Sequence, residues 1–143
     1  MQTDTIQIAN EALCVEIART GAETRAIRDA GGRDWLWHGD PAWWSGRAPV
    51  LFPIVGATPG GLIAYDGDAR QMAKHGFARH APFDLIASTE TACTMELTDS
   101  EATRAQFPFA FALRVTHALD GRALRVLAEV ENRDARPMPF GFG

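Results

Sequence analysis

Apolar and polar residues alternate with period two along much of this chain, the pattern of strands that bury one face. Leu13, Val15 and Ile17 alternate with Cys14, Glu16 and Ala18, and Cys93, Met95 and Leu97 alternate with Thr94, Glu96 and Thr98. The clearest hairpin pairs Phe109, Phe111, Leu113 and Val115 with a return strand carrying Leu124, Val126, Ala128 and Val130. Asp120-Gly121 between them supplies a turn that tolerates positive φ. One face is apolar and the other mostly polar, as a sheet packed on one side requires.

Two further turns are readable. Gly31-Gly32 separates Ala26–Ala30 from the Trp35–Trp37 segment, and Asp66-Gly67 separates Leu62–Tyr65 from Ala69–Met72, a small hairpin. Asp99–Gln106 has room for one helical turn, and no long amphipathic helix stands out. Many short strands with turns between them predict an all-β antiparallel sandwich. No repeat, linker or low-complexity tract divides the chain, so residues 1–143 are expected to form one domain, or one part of a domain.

The stretch from Pro41 to His80 departs from the pattern. It holds four prolines, several glycines and little alternation. Long irregular chain on a rigid β scaffold commonly carries function.

Composition narrows the function classes. With 46% hydrophobic and 22% charged residues among 143, the chain has enough apolar material for a real core without metal or disulfide staples. Fourteen basic residues against eighteen acidic give a net charge of −4, and no run of Lys or Arg occurs. That disfavours a nucleic acid or a membrane surface as partner and favours a small molecule. The start, Met1–Asn10, is polar and does not read as a secretory signal. Cys14 and Cys93 stand far apart and read as free thiols. The cytoplasm is the expected compartment.

Candidate chemistry lies in the irregular stretch. His75 sits in Lys74-His75-Gly76-Phe77-Ala78-Arg79-His80. It is either a proton-transfer group or a histidine bonded within a turn. Gly76 beside it permits close approach of another strand or a ligand. His75 and His80, five apart, point to opposite faces of extended chain, which disfavours a shared metal. Arg79 can offer a planar fork of donors. Arg47 leads into the rigid run Ala48-Pro49-Val50-Leu51-Phe52-Pro53 and is either a held functional group or a surface residue. The cluster Trp35, Trp37, Trp43 and Trp44 could stack on a pyranose, and core packing is expected for at least two of the four. His38 and His117 carry no assigned role, and His117 falls on the inward phase of its strand.

Four segments together resemble the aldose 1-epimerase family. They are Trp35-Leu36-Trp37-His38-Gly39-Asp40-Pro41-Ala42-Trp43-Trp44, Arg47-Ala48-Pro49-Val50-Leu51-Phe52-Pro53-Ile54-Val55-Gly56, His75-Gly76-Phe77-Ala78-Arg79 and Pro137-Met138-Pro139-Phe140-Gly141-Phe142-Gly143. The resemblance implies the N-terminal portion of a galactose mutarotase-like supersandwich, acting on a hexose or hexose 6-phosphate without metal or organic cofactor. A base takes the anomeric hydroxyl proton while an acid serves the ring oxygen. His75 matches the family's first active-site histidine, and Arg47 and Arg79 match arginines of its substrate pocket. The family's second histidine and its glutamate base match no residue here. The resemblance therefore implies a chain incomplete for catalysis, with a missing C-terminal half or a homo-oligomeric partner expected to complete it. The alternatives are a carbohydrate-binding module without turnover and a half-domain that needs a partner chain.

Overall fold

The computed structural model describes residues 4–143. The sequence reading of Met1–Asn10 thus lies partly outside the described residues. Within it, Thr5–Ala9 forms β1. The strands that follow are β2 (Leu13–Ala18), β3 (Thr24–Asp29), β4 (Leu62–Tyr65), β5 (Asp68–Gln71), β6 (Asp84–Ser88), β7 (Ala92–Thr98), β8 (Phe111–Asp120) and β9 (Ala123–Asn132). A single short helix, α1 (Glu101–Gln106), stands between β7 and β8 among the described residues. Ser100 caps it: its side chain accepts from the Thr103 N–H at 3.2 Å, and the Thr103 hydroxyl accepts from the Ser100 N–H at 2.8 Å.

All strand pairings are antiparallel, as the alternation predicts. One sheet has the order β1-β2-β3, a second β6-β7-β8-β9, and β4-β5 forms a separate hairpin. The expected hairpins at Asp66-Gly67 and Asp120-Gly121 both form. The larger sheets supply the two layers of a sandwich. Ile8, Val15 and Ile17 from one and Met95, Leu113 and Val115 from the other are fully buried in one shared core.

Phenylalanines fill the space between the layers. Phe52, Phe83, Phe107 and Phe111 are fully buried, and the Phe52 ring meets Phe77, Phe107, Phe111 and Phe140 at centroid distances of 5.2–6.1 Å. Such tilted and edge-on pairs are the favoured aromatic geometry.

The tryptophans do not join this core, which corrects the expectation drawn from their clustering. All four are exposed, Trp43 most of all at 82%. The segment carrying them runs outside the sandwich, and polar partners hold it there. The Trp35 indole donates to Asp29 at 3.0 Å, and the Trp37 indole donates to the Trp44 carbonyl at 2.8 Å. The Arg33 guanidinium lies over the Trp35 ring, 3.9 Å from its centre. The Trp35 bond, joined by the Arg33 and Gly31 backbone N–H groups, holds the Asp29 carboxyl below the usual carboxylate range.

At the other side, β9 is an unpaired edge of the four-stranded sheet. Its residues on the core side, opposite Leu113, Val115 and His117 of β8, are Val130, Ala128 and Val126. Val130 and Ala128 are only half-buried, and Val126 is 54% exposed. The facing sheet has three strands against four, so the inward face of β9 overhangs the core. Cys14 and Cys93 are free thiols, as expected. No helix among the described residues is long and apolar enough to cross a membrane.

Candidate functional site

Three segments remote in sequence lie side by side, and all three come from the irregular or terminal motifs. Phe52 and Gly76 form a lone parallel pairing. The Phe52 carbonyl accepts from Phe77 N–H at 3.1 Å and from Ala78 N–H at 3.2 Å. On the other flank, Leu51 and Gly143 exchange backbone bonds at 2.8 and 3.1 Å, and Gly141 N–H donates to the Pro53 carbonyl at 2.7 Å. The Phe52–Pro53 peptide is cis. Residues 75–78, 51–56 and 141–143 thus make a short three-ply ribbon.

Gly76 makes the ribbon sterically feasible. Its φ is +71°, and a Cβ there would lie 2.2 Å from the Phe52 carbonyl oxygen. Only glycine allows backbones to approach this closely in that conformation.

His75 is fixed by the same ribbon. Its φ of 67° is unusual for a residue with a side chain, and two bonds to Gly56 maintain it. His75 N–H donates to the Gly56 carbonyl at 2.7 Å, and Gly56 N–H donates to His75 Nδ1 at 2.9 Å. A ring whose Nδ1 accepts a hydrogen bond carries its proton on Nε2. The half-buried imidazole therefore presents a defined N–H donor on its far side. Of the two sequence readings of His75, the structure shows the bond within a turn, and that bond sets its tautomer.

Arg79 lies in the turn that follows and folds back toward His75, donating from Nη2 to the Lys74 carbonyl at 3.0 Å. Its Nε is buried without a partner. Arg47 is held differently. Its Nη1 donates to the Arg25 carbonyl, and its buried Nε has no partner among the described residues. Gly39 leaves room for it, since a Cβ at Gly39 would come within 2.8 Å of Nε.

A residue that sequence reasoning missed organises this end of the sandwich. One Glu23 carboxylate oxygen accepts from Arg47 N–H at 2.7 Å and Ala48 N–H at 3.1 Å, and the other accepts from Arg25 Nη1 at 2.7 Å. Glu23 is buried, and its three bonds offset the desolvation of its charge. Nothing in Gly21-Ala22-Glu23-Thr24 marks it locally, because the two backbone donors it serves lie 24 and 25 positions away.

Glu23 and Arg79 both line a hollow of about 410 Å³. Its walls come from the ends of β1, β2 and β3, from Trp44, Ser45, Gly46 and Pro49, and from Arg79 and His80. Arg47 and His75 are not among the residues lining it. Arg79 links the two places, lining the hollow while bonding to the carbonyl next to His75. Among the described residues, no group of three His, Cys, Asp or Glu side chains is placed to hold a metal ion.

His117, which the sequence places on the inward phase of its strand, is buried to 1% exposure, and its Nδ1 has no partner among the described residues. Burial pushes its pKa down to about 4. It lies across from Cys93 on β7, whose thiol burial pushes up.

Residues 4–143 match the model of the family described as aldose 1-epimerase. The protein LacX of Lactococcus lactis subsp. lactis is 31% identical over 145 residues, covering 97% of this chain and 48% of that protein. A galactose mutarotase related enzyme from Lactobacillus acidophilus superposes with a TM-score of 0.95 at 34% identity, over 96% of this chain and 46% of that one. A galactose mutarotase-like protein from Lactobacillus casei ATCC 334 gives 0.93 at 32% identity, over 96% and 47%. The chain spans about half the length of each.

Proposed function

This chain belongs to the aldose 1-epimerase family, and from that premise we propose that it forms the N-terminal half of a sugar-binding sandwich in which His75 serves the ring oxygen of an aldose. The single observation behind this reading is the bond from Gly56 N–H to His75 Nδ1. It leaves Nε2–H as a donor of fixed direction, suited to a hydrogen bond with the ring oxygen. As the C1–O5 bond lengthens, negative charge grows on that oxygen, and a preset donor stabilises it.

The reaction also needs a base that removes the anomeric hydroxyl proton and an acid that completes protonation of the ring oxygen. The C1–O5 bond then breaks to give the open aldehyde, rotation about C1–C2 exposes the other face, and closure reverses the proton movements. We assign neither group to this chain. Glu129 and Glu131 lie on the exposed strand β9, and Glu131 already bonds Arg114 and Arg133. Arg79 is proposed to contact sugar hydroxyls or a 6-phosphate from beside His75. Arg47 is proposed to support the same pocket. Its backbone and Nη1 are committed to Glu23 and Arg25, which suits a positioning role.

A second reading, a half-domain that needs a partner chain, draws support from the unpaired edge and overhanging apolar face of β9. The two readings are compatible, since completion of the sandwich would bring the missing groups.

The test uses the chain as it is. Polarimetry of freshly dissolved galactose and glucose is expected to show little acceleration over buffer, because loss of a matched acid–base partner commonly removes about 10²–10⁴-fold. ¹⁵N imidazole spectra are expected to show His75 protonated on Nε2, with that resonance shifting as galactose, glucose or glucose 6-phosphate is added. Rapid turnover abolished by His75→Ala would show that the chain is catalytically complete. No shift at His75 with any of the three sugars would overturn its assignment.

A further inference from the structure

We infer that the hollow beside β1–β3 is a second pyranose-binding site that excludes His75 and shares Arg79 with the pocket proposed around it, with the Trp44 indole as its stacking wall. The ligand class rests on the sugar reading above, and the site itself does not depend on His75.

The geometry of Trp44 carries the inference. Its ring folds back over Gly46, where a Cβ would lie 2.6–2.9 Å from Cζ2, Cε2 and Nε1. Glycine at 46 is therefore what lets the indole lie flat on the backbone. The ring remains 51% exposed and lines the hollow. Its own chain position is pinned, because the Trp44 carbonyl accepts from the Trp37 indole and Trp44 N–H donates to the Asp40 carbonyl at 2.9 Å. An ordered, half-exposed aromatic face binds at little entropic cost. It suits the C–H face of a pyranose.

Around that wall stand groups suited to a sugar's hydroxyls. Glu23 and Arg25 form a paired carboxylate and guanidinium, and Thr20, Ser45 and Arg79 line the hollow beside them. The Trp44 indole N–H makes no hydrogen bond among the described residues. Asp4, Glu23, Arg25 and Arg79 all line the hollow. Two carboxylates against two guanidinium groups leave the wall close to neutral, which selects an uncharged ligand over a phosphate. A volume of about 410 Å³ falls within the range of small-molecule sites, about 300–1,000 Å³.

Sugars locked at the anomeric carbon separate this site from the mutarotase reading. Methyl β-D-galactopyranoside and methyl β-D-glucopyranoside cannot ring-open, yet they offer the same C–H face and hydroxyls. Saturation-transfer NMR and calorimetry are expected to detect binding of at least one to the wild-type chain. Trp44→Ala should weaken it about tenfold or more, Trp44→Phe should retain it within about threefold, and His75→Gln should leave it within about twofold. Gly46→Ala, which displaces the indole, should weaken it as Trp44→Ala does. Thermal unfolding of each variant checks that the fold is intact. Binding lost in His75→Gln and kept in Trp44→Ala would overturn this inference and leave the His75 assignment standing. So would a galactose-induced shift at His75 with no binding of either locked glycoside.

Discussion

Replacing Gly76 with alanine is expected to be among the most damaging small changes this chain can suffer. The new methyl would meet the Phe52 carbonyl oxygen at 2.2 Å, the carbonyl carbon at 2.5 Å and Pro53 N at 2.7 Å. All three are backbone atoms, so no side chain can swing away. Holding a non-glycine residue at φ +71° adds about 1–2 kcal/mol. Relief requires the 51–56 and 75–78 segments to part by about an ångström. That strains the two bonds accepted by the Phe52 carbonyl, worth about 1 kcal/mol each, and shifts a fully buried ring from its aromatic neighbours. The expected loss is about 3–5 kcal/mol, a large share of the roughly 5–15 kcal/mol that holds a typical domain. Gly121→Ala is the control: φ there is +55° with nothing within 4 Å of the added carbon, so only the conformational cost of about 1–2 kcal/mol applies. Urea denaturation followed by circular dichroism gives both values from midpoint and slope. Equal losses in the two variants would refute the close-approach reasoning. The same variant should release His75 Nδ1 from Gly56 and allow the other ring tautomer, visible in ¹⁵N spectra.

Burial makes His117 a source of pH-dependent stability. Its folded pKa of about 4 lies below the unfolded value of about 6.5, so the unfolded chain binds more protons between them and stability falls as pH drops through that window. The expected loss between pH 8 and pH 5 is about 2 kcal/mol, and denaturation of His117→Leu at both pH values should show that slope removed. Glu23→Ala strips an acceptor from two backbone N–H groups and from Arg25, so urea midpoints should report a loss of about 2–4 kcal/mol, smaller for Glu23→Gln. The free edge and exposed apolar residues of β9 should drive self-association, measured by sedimentation across a concentration series. A chain that stays monomeric into the high-micromolar range and binds no apolar dye would show that β9 needs no cover.

The parts of the fold that were legible in sequence are those set by local rules. The β8–β9 hairpin declares itself through ten-residue alternation and Asp120-Gly121, and β2 and β7 through Val15, Ile17, Met95 and Leu97. Strands β1 and β6 are short and give weak signals. Thr5–Ala9 has only two alternations, and Leu85-Ile86-Ala87 is a continuous apolar run that periodicity cannot assign. The tryptophans misled because clustering in sequence says nothing about which side of a sheet a loop will take. The core was filled by phenylalanines drawn from positions 52, 83, 107 and 111. In the ribbon joining 51–56, 75–78 and 141–143, Gly76 signals a close approach, but nothing local says which segments approach. Family resemblance pointed to those motifs, and only the fold explains why they belong together.

That ribbon also ties the candidate chemistry to the uncovered surface. Val55 precedes the Gly56 that holds His75, and Phe140 and Phe142 flank the Gly141 that bonds Pro53. All three apolar side chains are exposed, and a Cβ on Gly143 would touch Val55. The imidazole donor and this apolar border are therefore neighbours on one ribbon. A hydrogen bond to a developing oxyanion gains most when water is excluded and the local dielectric is low. Whatever covers Val55, Phe140 and Phe142 would also dry the surroundings of His75. Under the proposed function, assembly and chemistry would thus be coupled through the same few residues. On the proposed reading, the Gly56 bond fixes the histidine's tautomer, and cover over the same ribbon supplies the closed environment that its donor requires.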